Sequence, residues 1–432
     1  MRINSIYLEN FRCFEKVKIN FPEGLAVFVG NNGSGKTAVL DAAAVALGGF
    51  LSGFDGVKSR EILPDEVRLQ YYERGSVVDA QPQFSLRITC EAAIQEHSYT
   101  WTRALNKEGG RTTRNEAQTI IKYAEKIQKE VRQGNDQIVL PVISYYGTGR
   151  LWVQKKQKTE ETLARLQSRL MGYTDCLDPA SNEKLMSKWF EKMTMIHFQE
   201  GKEPAELRAV KDVLKYCLRD VDGKGTADRE TDIFFSAKTG ELEITFTNWN
   251  GDKERLPFRM LSDGYRNTLG MIADIAYRMA VLNPQLLNNV TKETPGVVLI
   301  DEIDLHLHPK WQRHIIADLR TIFPKVQFII TTHSPNIIQT IRKENVIIIE
   351  DCNIVEKTPY TYGRDVEAIL YDVMDVEAKP ADVKILINQF YELLEKEDFE
   401  QAEQAIEALE KLTCEYDSEV VRAKTMLNLE RP

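Results

Sequence analysis

"GNNGSGKT", residues 30–37, follows a short apolar run at residues 25–29 and precedes residues 38–50, whose apolar side chains recur at helical spacing. This order predicts a β-strand, a glycine-rich loop and an α-helix. The stretch fits the pattern G-x-x-x-x-G-K-T, in which backbone N–H groups at the positive end of a helix surround a phosphate group. The sequence therefore predicts a nucleotide-binding loop. The alternative, a plain glycine-rich turn, is disfavoured by the strand and helix on its two sides.

The side chains of this loop have separate expected contacts with the nucleotide. Lys36 would supply positive charge to the terminal phosphates, and the Thr37 hydroxyl would bind a magnesium ion that bridges them. The predicted nucleotide-binding residues of the loop are Gly30, Asn31, Asn32, Gly33, Ser34, Gly35, Lys36, Thr37 and Ala38.

A second apolar run, GVVLI at residues 296–300, is predicted to be a buried strand and ends in two carboxylates, Asp301 and Glu302. Nucleotide-binding proteins with this type of loop place an aspartate near the magnesium ion, so Asp301 is the candidate metal ligand beside Thr37. Glu302 could orient or deprotonate the water that attacks the terminal phosphate. The alternative interpretation makes both carboxylates caps of the helix that follows.

Two further stretches place polar residues at the start of a helix and at the end of a strand. LSDGYR, residues 261–266, opens an amphipathic helix, and Ser262, Asp263 and Gly264 would form a second anion-binding helix start. A single bound nucleotide does not easily account for two anion-binding helix N-termini in one chain. VQFIITTHSP, residues 326–335, predicts a buried strand whose end places His333 at a terminal phosphate. A structural histidine is the alternative.

Together these motifs resemble those of ABC-type ATPase heads, such as SMC proteins, RecF and OLD-family proteins. The matching stretches resemble, in chain order, a Walker A motif, an ABC signature, a Walker B motif with its catalytic glutamate, a D-loop and a switch histidine: GNNGSGKT, LSDGYR, GVVLIDE, DLHLHP and His333. LPVISYYGTGRLW and YGRDVEAIL resemble, more narrowly, AAA-type ATPases of bacterial defence islands. These include the ATPase subunit of Septu anti-phage systems and of the retrons that carry Septu.

The resemblance implies an α/β fold, an ABC-type ATPase head with a P-loop core sheet and an antiparallel β subdomain. We expect an ATPase lobe with Walker A at residues 1–149 and a helical insertion at 150–234. A second lobe, with the signature, Walker B and the switch histidine, would span 235–365, and a helical C-terminal tail 366–432.

Apolar residues within 381–426 recur at helical spacing, and Asp398 is placed as an N-cap. Such helices could dock a partner protein or could close the hydrophobic core. The residues that carry the spacing are Phe399, Ala402, Ala405, Ile406, Leu409 and Leu412.

The resemblance further implies an enzyme that hydrolyses ATP to ADP and phosphate, with ATP and Mg²⁺ bound at the interface of a head-to-tail homodimer. The second helix start, with Ser262, Asp263 and Gly264, would reach the ATP of the other subunit. The expected catalytic residues are Lys36, Glu302 and His333, and the expected metal ligands are Thr37 and Asp301.

The implied role is that of a regulatory or sensor subunit in an anti-phage complex, with a separate HNH-type nuclease as the effector and with room for assembly beyond the dimer. A RecF-like DNA-repair ATPase that binds DNA directly is one alternative. A nucleotide-dependent scaffold with negligible turnover is another.

Two motifs depart from the family pattern, the signature and the Q-loop. The signature is usually LSGGQ, and here Asp263 replaces a glycine and Tyr265 replaces the glutamine, which predicts slow or differently regulated hydrolysis. A Q-loop glutamine is not evident, and Tyr146, Gly147 and Arg150 are candidate substitutes. Arg12 could approach the nucleotide or could have a surface role.

Composition indicates a cytoplasmic protein that does not enter a membrane. Uninterrupted apolar runs stay short of the roughly 20 residues that a membrane span needs, and the N-terminal residues lack the apolar segment of a signal peptide. Six scattered cysteines without CxxC pairs suggest a reducing compartment. The net charge of -9 argues against a generally DNA-binding surface, although RLWVQKKQK at 150–158 could contact DNA or RNA. A solvated helix face is the alternative for that stretch.

Overall fold

Strands with almost uninterrupted apolar sequence lie at the centre of the protein. The structure is a computed structural model and describes residues 1–74, 77–151, 168–179, 183–218, 232–247, 252–377 and 379–431. The strands are β1 Arg2–Phe11, β2 Phe14–Asn20, β3 Leu25–Val29, β4 Leu69–Arg74, β5 Val77–Pro82, β6 Leu86–Ile94, β7 His97–Leu105, β8 Val142–Tyr146, β9 Asp232–Ser236, β10 Glu241–Thr247, β11 Lys253–Pro257, β12 Gly296–Ile300, β13 Val326–Thr331, β14 Val346–Glu350 and β15 Asn353–Ile354.

Helices follow many of these strands. They are α1 Lys36–Leu51, α2 Gln118–Arg132, α3 Glu183–Glu200, α4 Ala205–Leu218, α5 Asp263–Leu282, α6 Val290–Glu293, α7 Pro309–Gln312, α8 Ile315–Ile322, α9 Pro335–Ile338, α10 Val366–Met374, α11 Ala381–Glu395, α12 Phe399–Leu412 and α13 Ser418–Glu430. Contacts divide the chain into two compact units, Met1–Arg364 and Asp365–Pro432.

The central sheet of the first unit has the strand order β15-β14-β3-β13-β12-β8. All of these strands run parallel except β15, which turns back antiparallel to β14. β3, β8, β12 and β13 are buried along their whole length, as is usual for parallel strands covered on both faces. Because the carboxyl ends of parallel strands share one edge of a sheet, the residues that follow β3, β12 and β13 meet there.

A second, antiparallel sheet has the order β2-β1-β6-β7. Helix α1 packs against strands of both sheets, and nearly every residue of it is buried. From the antiparallel sheet, the Trp101 indole Nε1 donates to the Ala46 carbonyl of α1 at 2.9 Å. These features confirm the predicted α/β head, with its P-loop core sheet and antiparallel sheet.

Helices α3 and α4 lie within the predicted insertion, and α4 packs against α5. A small sheet of order β11-β10-β9 precedes α5, and β4 and β5 pair as a hairpin. The four-part division of the chain stays a prediction. Every helix in the described ranges is too short or too polar to cross a lipid bilayer.

The second unit contains α10 to α13 and has a hydrophobic core of its own. Asp398 caps α12 as expected, since its Oδ1 accepts from the Gln401 N–H at 3.2 Å. Leu412, in contrast, is 48% exposed and does not join the apolar side of that helix. The buried core residues are Phe390, Ala402, Ala405, Ile406, Leu409, Val420, Ala423 and Leu427.

Candidate nucleotide-binding site

The phosphate loop, the acid pair and the histidine come together at the carboxyl edge of the central sheet. β13 lies between β3 and β12, with Ile300 opposite Ile330 on one side and Phe28 opposite Thr331 on the other. The loop of residues 30–37 therefore follows one neighbour of β13, and Asp301 follows the other.

The backbone of the phosphate loop depends on glycine at two positions. Gly33 and Gly35 have φ of 82° and 107°, in the left-handed region that favours glycine. A Cβ at Gly35 would lie 2.7 Å from the Phe14 ring and 2.9 Å from the Cys13 Sγ. The fold thus packs this glycine against the turn between β1 and β2, which fixes the start of α1.

Two polar groups of the loop fit a phosphate. The Ser34 Oγ is buried and has no hydrogen-bond partner in the described part of the chain. The Lys36 ammonium is buried as well, and it donates to the carbonyls of Gly30 and Asn31, each at 2.9 Å. Burial lowers the pKa of Lys36, although Asp301 and nearby carboxylates oppose this effect. An unmet hydroxyl and a desolvated ammonium at a helix N-terminus suit a bound anion.

The remaining loop residues differ in their exposure to solvent. Asn31, Asn32 and Gly33 are exposed, whereas Ala38 is buried in the first turn of α1. An anion can therefore enter from the exposed side of the loop and reach the N–H groups at the start of the helix.

Thr37 and Asp301 are in direct contact. The Thr37 Oγ1 donates to the Asp301 carboxylate at 3.0 Å from Oδ2 and 3.2 Å from Oδ1. Asp301 is only 3% exposed, and Thr331 holds it in place by donating from Oγ1 to Oδ1 at 2.6 Å. Hydroxyl and carboxylate oxygens are the ligands that Mg²⁺ prefers, so the residues present fit that ion.

Glu302 has a backbone conformation that few non-glycine residues adopt. Its φ is 46°, in the left-handed region, and its N–H donates to the Thr331 Oγ1 at 2.7 Å. Such a conformation costs free energy and persists where the surrounding structure enforces it, often at functional sites. Thr331 therefore supports both members of the acid pair, and the sequence did not single it out.

His333 is held near the acid pair by Asp304. The His333 N–H and the Thr332 Oγ1 both donate to Asp304 Oδ1, at 3.3 Å and 2.6 Å. Burial lowers the pKa of the His333 imidazole, and the Lys36 charge lowers it further, although Asp304 and the acid pair oppose both. The ring is therefore neutral near pH 7 and can donate one hydrogen bond.

The signature loop contacts the segment that follows the acid pair. Ser262 precedes α5, and Ser262 and Asp263 are exposed. Gly264 lies so close to the His306 carbonyl that a Cβ would be 2.2 Å from that oxygen. The Tyr265 ring meets the edge of the Trp311 ring at a centroid distance of 4.5 Å. The structure thus joins the signature loop to residues 304–311 and leaves its polar end accessible.

The candidate Q-loop substitutes have other contacts. The Tyr146 hydroxyl donates to Asp274 Oδ2 at 2.7 Å, and the Gly147 N–H donates to the Pro179 carbonyl at 3.2 Å. The side chain of Arg150 lies outside the described residues, and so does most of the basic stretch, residues 152–158. The Tyr146 side chain therefore contacts helix α5, which carries Asp274.

Arg12 lies on the side of α1 that faces the antiparallel sheet. Its guanidinium contacts Asp41 at 2.7 Å and Glu66 at 3.4 Å. Asp41 also accepts from the Tyr145 hydroxyl at 3.0 Å. In this structure Arg12 thus belongs to a cluster of charged groups with Asp41, on the helix that follows the phosphate loop, and Glu66.

Sequence similarity to known proteins identifies the family of this chain. A protein-family model described as an AAA domain matches residues 5–222, just over half of the chain. The chain belongs to the AAA domain family. This membership confirms the prediction that the protein is an ATPase.

Relatives of this AAA protein match over most of its length. The retron Vc95 probable ATPase of Vibrio cholerae serotype O1 biovar El Tor is 25% identical, and the match covers 92% of this chain and 84% of the relative. The Septu protein PtuA of Bacillus thuringiensis is 27% identical, with 92% and 91% covered. The predicted resemblance to Septu and retron ATPases is confirmed. A solved SMC head bound to the C-winged helix domain of ScpA is 17% identical, with a TM-score of 0.49 over 83% of this chain and 98% of that chain.

Proposed function

We propose that this AAA protein hydrolyses Mg²⁺–ATP at the interface of a head-to-tail homodimer and acts as the regulatory or sensor subunit of an anti-phage complex. The observation that carries the proposal is the hydrogen bond between Thr37 and Asp301, together with the buried Ser34 hydroxyl, which has no hydrogen-bond partner among the described residues. These two features support a binding site for the triphosphate and for Mg²⁺ within one subunit.

The residues of the cradle would act in turn on the nucleotide. Lys36 would leave the Gly30 and Asn31 carbonyls and contact the terminal phosphates, where its charge offsets theirs. Thr37 and Asp301 would hold Mg²⁺, which supplies positive charge to the phosphate oxygens.

Hydrolysis also needs an activated water and stabilisation of the terminal phosphate as it is transferred to that water. Glu302 would accept the proton of the attacking water, as a general base whose position the Thr331 hydroxyl fixes. His333, neutral near pH 7, would donate a hydrogen bond to the terminal phosphate.

The signature loop supports the dimer. The N-terminus of α5 is a second anion-binding helix start, and its Ser262 and Asp263 are exposed. In a two-fold symmetric pair, each loop would reach the ATP held by the other subunit, so every helix start would have a phosphate to bind. Asp263 and Tyr265 at this loop support slow or regulated turnover.

Substitution of Glu302 by Gln tests the chemistry. Gln keeps the size of the side chain but cannot accept a proton, so kcat should fall by about 10²- to 10⁴-fold and ATP-bound dimers should accumulate. Phosphate release and light scattering after gel filtration measure the two effects. Unchanged turnover would show that Glu302 is not the base.

A mixing experiment tests whether the two subunits share each site. Lys36→Ala removes one half of the site and Ser262→Arg blocks the other half, so each variant alone should be inactive. In mixed dimers one site combines two intact halves, and the mixture should regain about a quarter of the wild-type rate. An inactive mixture of two folded variants would exclude shared sites.

A separate HNH-type nuclease is the proposed effector. The Septu and retron names of the relatives support this role in phage defence. Affinity capture of the tagged chain from its own host, followed by mass spectrometry, should recover a chain with an HNH motif whose DNA cleavage depends on ATP. Hydrolysis by the isolated protein that DNA stimulates would instead favour a RecF-like repair ATPase. Tight ATP retention without phosphate release would favour a scaffold.

A further inference from the structure

Two consecutive tyrosines on β8 contact the two helices that carry phosphate-binding ends. Because successive side chains of a strand point to opposite faces of the sheet, Tyr145 and Tyr146 reach different helices. The Tyr145 hydroxyl donates to Asp41 of α1, which begins at the phosphate loop, at 3.0 Å. The Tyr146 hydroxyl donates to Asp274 of α5, which begins at the signature loop, at 2.7 Å.

Tyr146 is also bonded to the candidate metal ligand through its main chain. Tyr146 pairs with Ile300 of β12, and the Asp301 N–H donates to the Tyr146 carbonyl at 2.8 Å. One residue therefore connects the backbone of Asp301 with the side of the signature helix.

The contact on the signature helix is a buried charged group. The Arg278 Nε donates to the same Asp274 oxygen at 2.7 Å, and its Nη1 donates to the carbonyls of Gly172 and Thr174 at 2.9 Å and 3.0 Å. The two charged side chains are only 4% and 12% exposed. Buried ion pairs of this kind add little to stability in comparison with apolar residues, and their best-attested use is to fix one arrangement over another.

The Asp274 carboxylate uses only one of its two oxygens in these contacts. Asp274 Oδ2 accepts from both Tyr146 and Arg278, whereas the buried Asp274 Oδ1 has no hydrogen-bond partner among the described residues. An unsatisfied buried oxygen of this kind calls for a physical reason, and rotation of the carboxylate to a second partner is one. Burial raises the pKa of Tyr146 well above its usual value, so the hydroxyl keeps its proton and remains a donor.

We propose that Tyr146 is a positioning residue that couples the nucleotide site around Asp301 to the position of the signature helix through Asp274 and Arg278. The inference rests on the proposed function, in which that helix completes the site of the other subunit. Because the Asp301 N–H bonds to the Tyr146 carbonyl, a shift of Asp301 on binding ATP and Mg²⁺ would move Tyr146. The Tyr146 hydroxyl would in turn change the position of Asp274 and of helix α5. A coupling group of this kind takes over the task expected of a Q-loop glutamine.

Tyr146→Phe tests the coupling, because Phe keeps the ring and loses only the hydroxyl. Tyr145→Phe is the matched control, since it removes an equally buried hydroxyl that contacts the other helix. In the Glu302→Gln background, Tyr146→Phe should weaken ATP-dependent dimerisation by about fivefold or more, whereas Tyr145→Phe should not. Sedimentation measures the dimer, and titration with a fluorescent ATP analogue measures binding.

Kinetics separate coupling from a general structural defect. In the otherwise wild-type protein, Tyr146→Phe should lower kcat, while KM and the number of nucleotides bound per subunit stay as in the wild type. If both tyrosine variants dimerise and turn over alike, Tyr146 is not the coupling residue. A parallel loss of nucleotide binding and of thermal stability by Tyr146→Phe would mean that its role is structural, and would also overturn the proposal.

Arg278→Lys gives a second, independent test, because Lys keeps the charge beside Asp274 but cannot reproduce the fork of bonds to Gly172 and Thr174. It should weaken dimerisation in the same direction, and normal dimerisation would count against the coupling. A wild-type protein that hydrolyses no ATP and forms no ATP-dependent dimer would overturn the proposed function itself, and the coupling with it. That failure is recognised without any tyrosine variant.

Discussion

The Thr37 hydroxyl lies 3.0 Å from the Asp301 carboxylate, although 264 positions separate the two residues in the sequence. Parallel pairing of β3, β13 and β12 produces this contact, because it brings the ends of distant strands to one edge. Thr331, at the end of the strand between them, stabilises Asp301 through a further hydrogen bond.

Replacing Thr37 should change the response to magnesium. Thr37→Ala removes the hydroxyl that meets Asp301, so Mg²⁺-dependent ATP hydrolysis should fall by about 10- to 100-fold. Thr37→Ser keeps the hydroxyl and is the matched control, with activity near that of the wild type. Phosphate release measured over a range of Mg²⁺ concentrations distinguishes them. Equal activity of both variants would exclude Thr37 from the metal site.

His333 should make the nucleotide-free protein less stable in mild acid. Its pKa in the folded protein is lowered, mainly by burial and then by Lys36, so the unfolded chain takes up a proton first as the pH falls. Stability should therefore decrease from about pH 6.5 downwards until the folded-state pKa is passed. His333→Gln should remove this part of the loss, with a difference in Tm on the order of 1 °C between pH 7.5 and 5.5. Thermal melts with the same pH dependence for both proteins would contradict the assignment.

Gly264 should be important for ATP turnover, whereas Gly270, on the same helix, should not be. A Cβ at Gly264 would meet the His306 carbonyl at 2.2 Å and push the signature loop away from the segment after the acid pair. We expect Gly264→Ala to lower ATP turnover by about tenfold or more. A Cβ at Gly270 would meet the Phe258 ring only at 4.0 Å, so Gly270→Ala should keep the activity and raise the thermal stability slightly. Turnover of Gly264→Ala at the Gly270→Ala level would show that this contact is dispensable.

Two leucines on α12 should respond differently to truncation. Leu409 is 1% exposed and belongs to the core of the C-terminal unit, whereas Leu412 is 48% exposed. Leu409→Ala should destabilise the unit by about 2 to 5 kcal/mol, and Leu412→Ala by less than about 0.5 kcal/mol. Hydrogen exchange of α11 to α13, followed by mass spectrometry, measures both. Similar protection in the two variants would argue against this core.

The parts of the fold and site that were predictable depend on local sequence. The glycine loop, the acid pair and His333 each stand at the end of a short apolar run, and a parallel sheet brings such ends together. The contacts of the site within residues 30–37 follow directly from the motif. The spacing of apolar residues on α12 likewise gave the buried side of that helix, with Leu412 as the exception, because it lies in the last turn, where the core ends.

Other parts depend on pairing between distant residues and could not be predicted. Thr331 supports the acid pair only because the register of β12 and β13 places it beside Asp301. Tyr146 was a candidate for the nucleotide site, yet its hydroxyl bonds to Asp274, 128 positions away. Which face of a strand meets which helix is decided by the packing of the sheet, and a single local pattern carries no information about it.

The left-handed backbone at Glu302 has a consequence for attempts to make this protein more heat-resistant. A designer who ranked substitutions by folding free energy would choose glycine or asparagine there, since both tolerate that conformation better than glutamate. With Glu302 as the general base that we propose, the resulting protein would melt at a higher temperature and lose most of its ATP turnover. Among variants of this chain, a gain in melting temperature is therefore a poor guide to retained function.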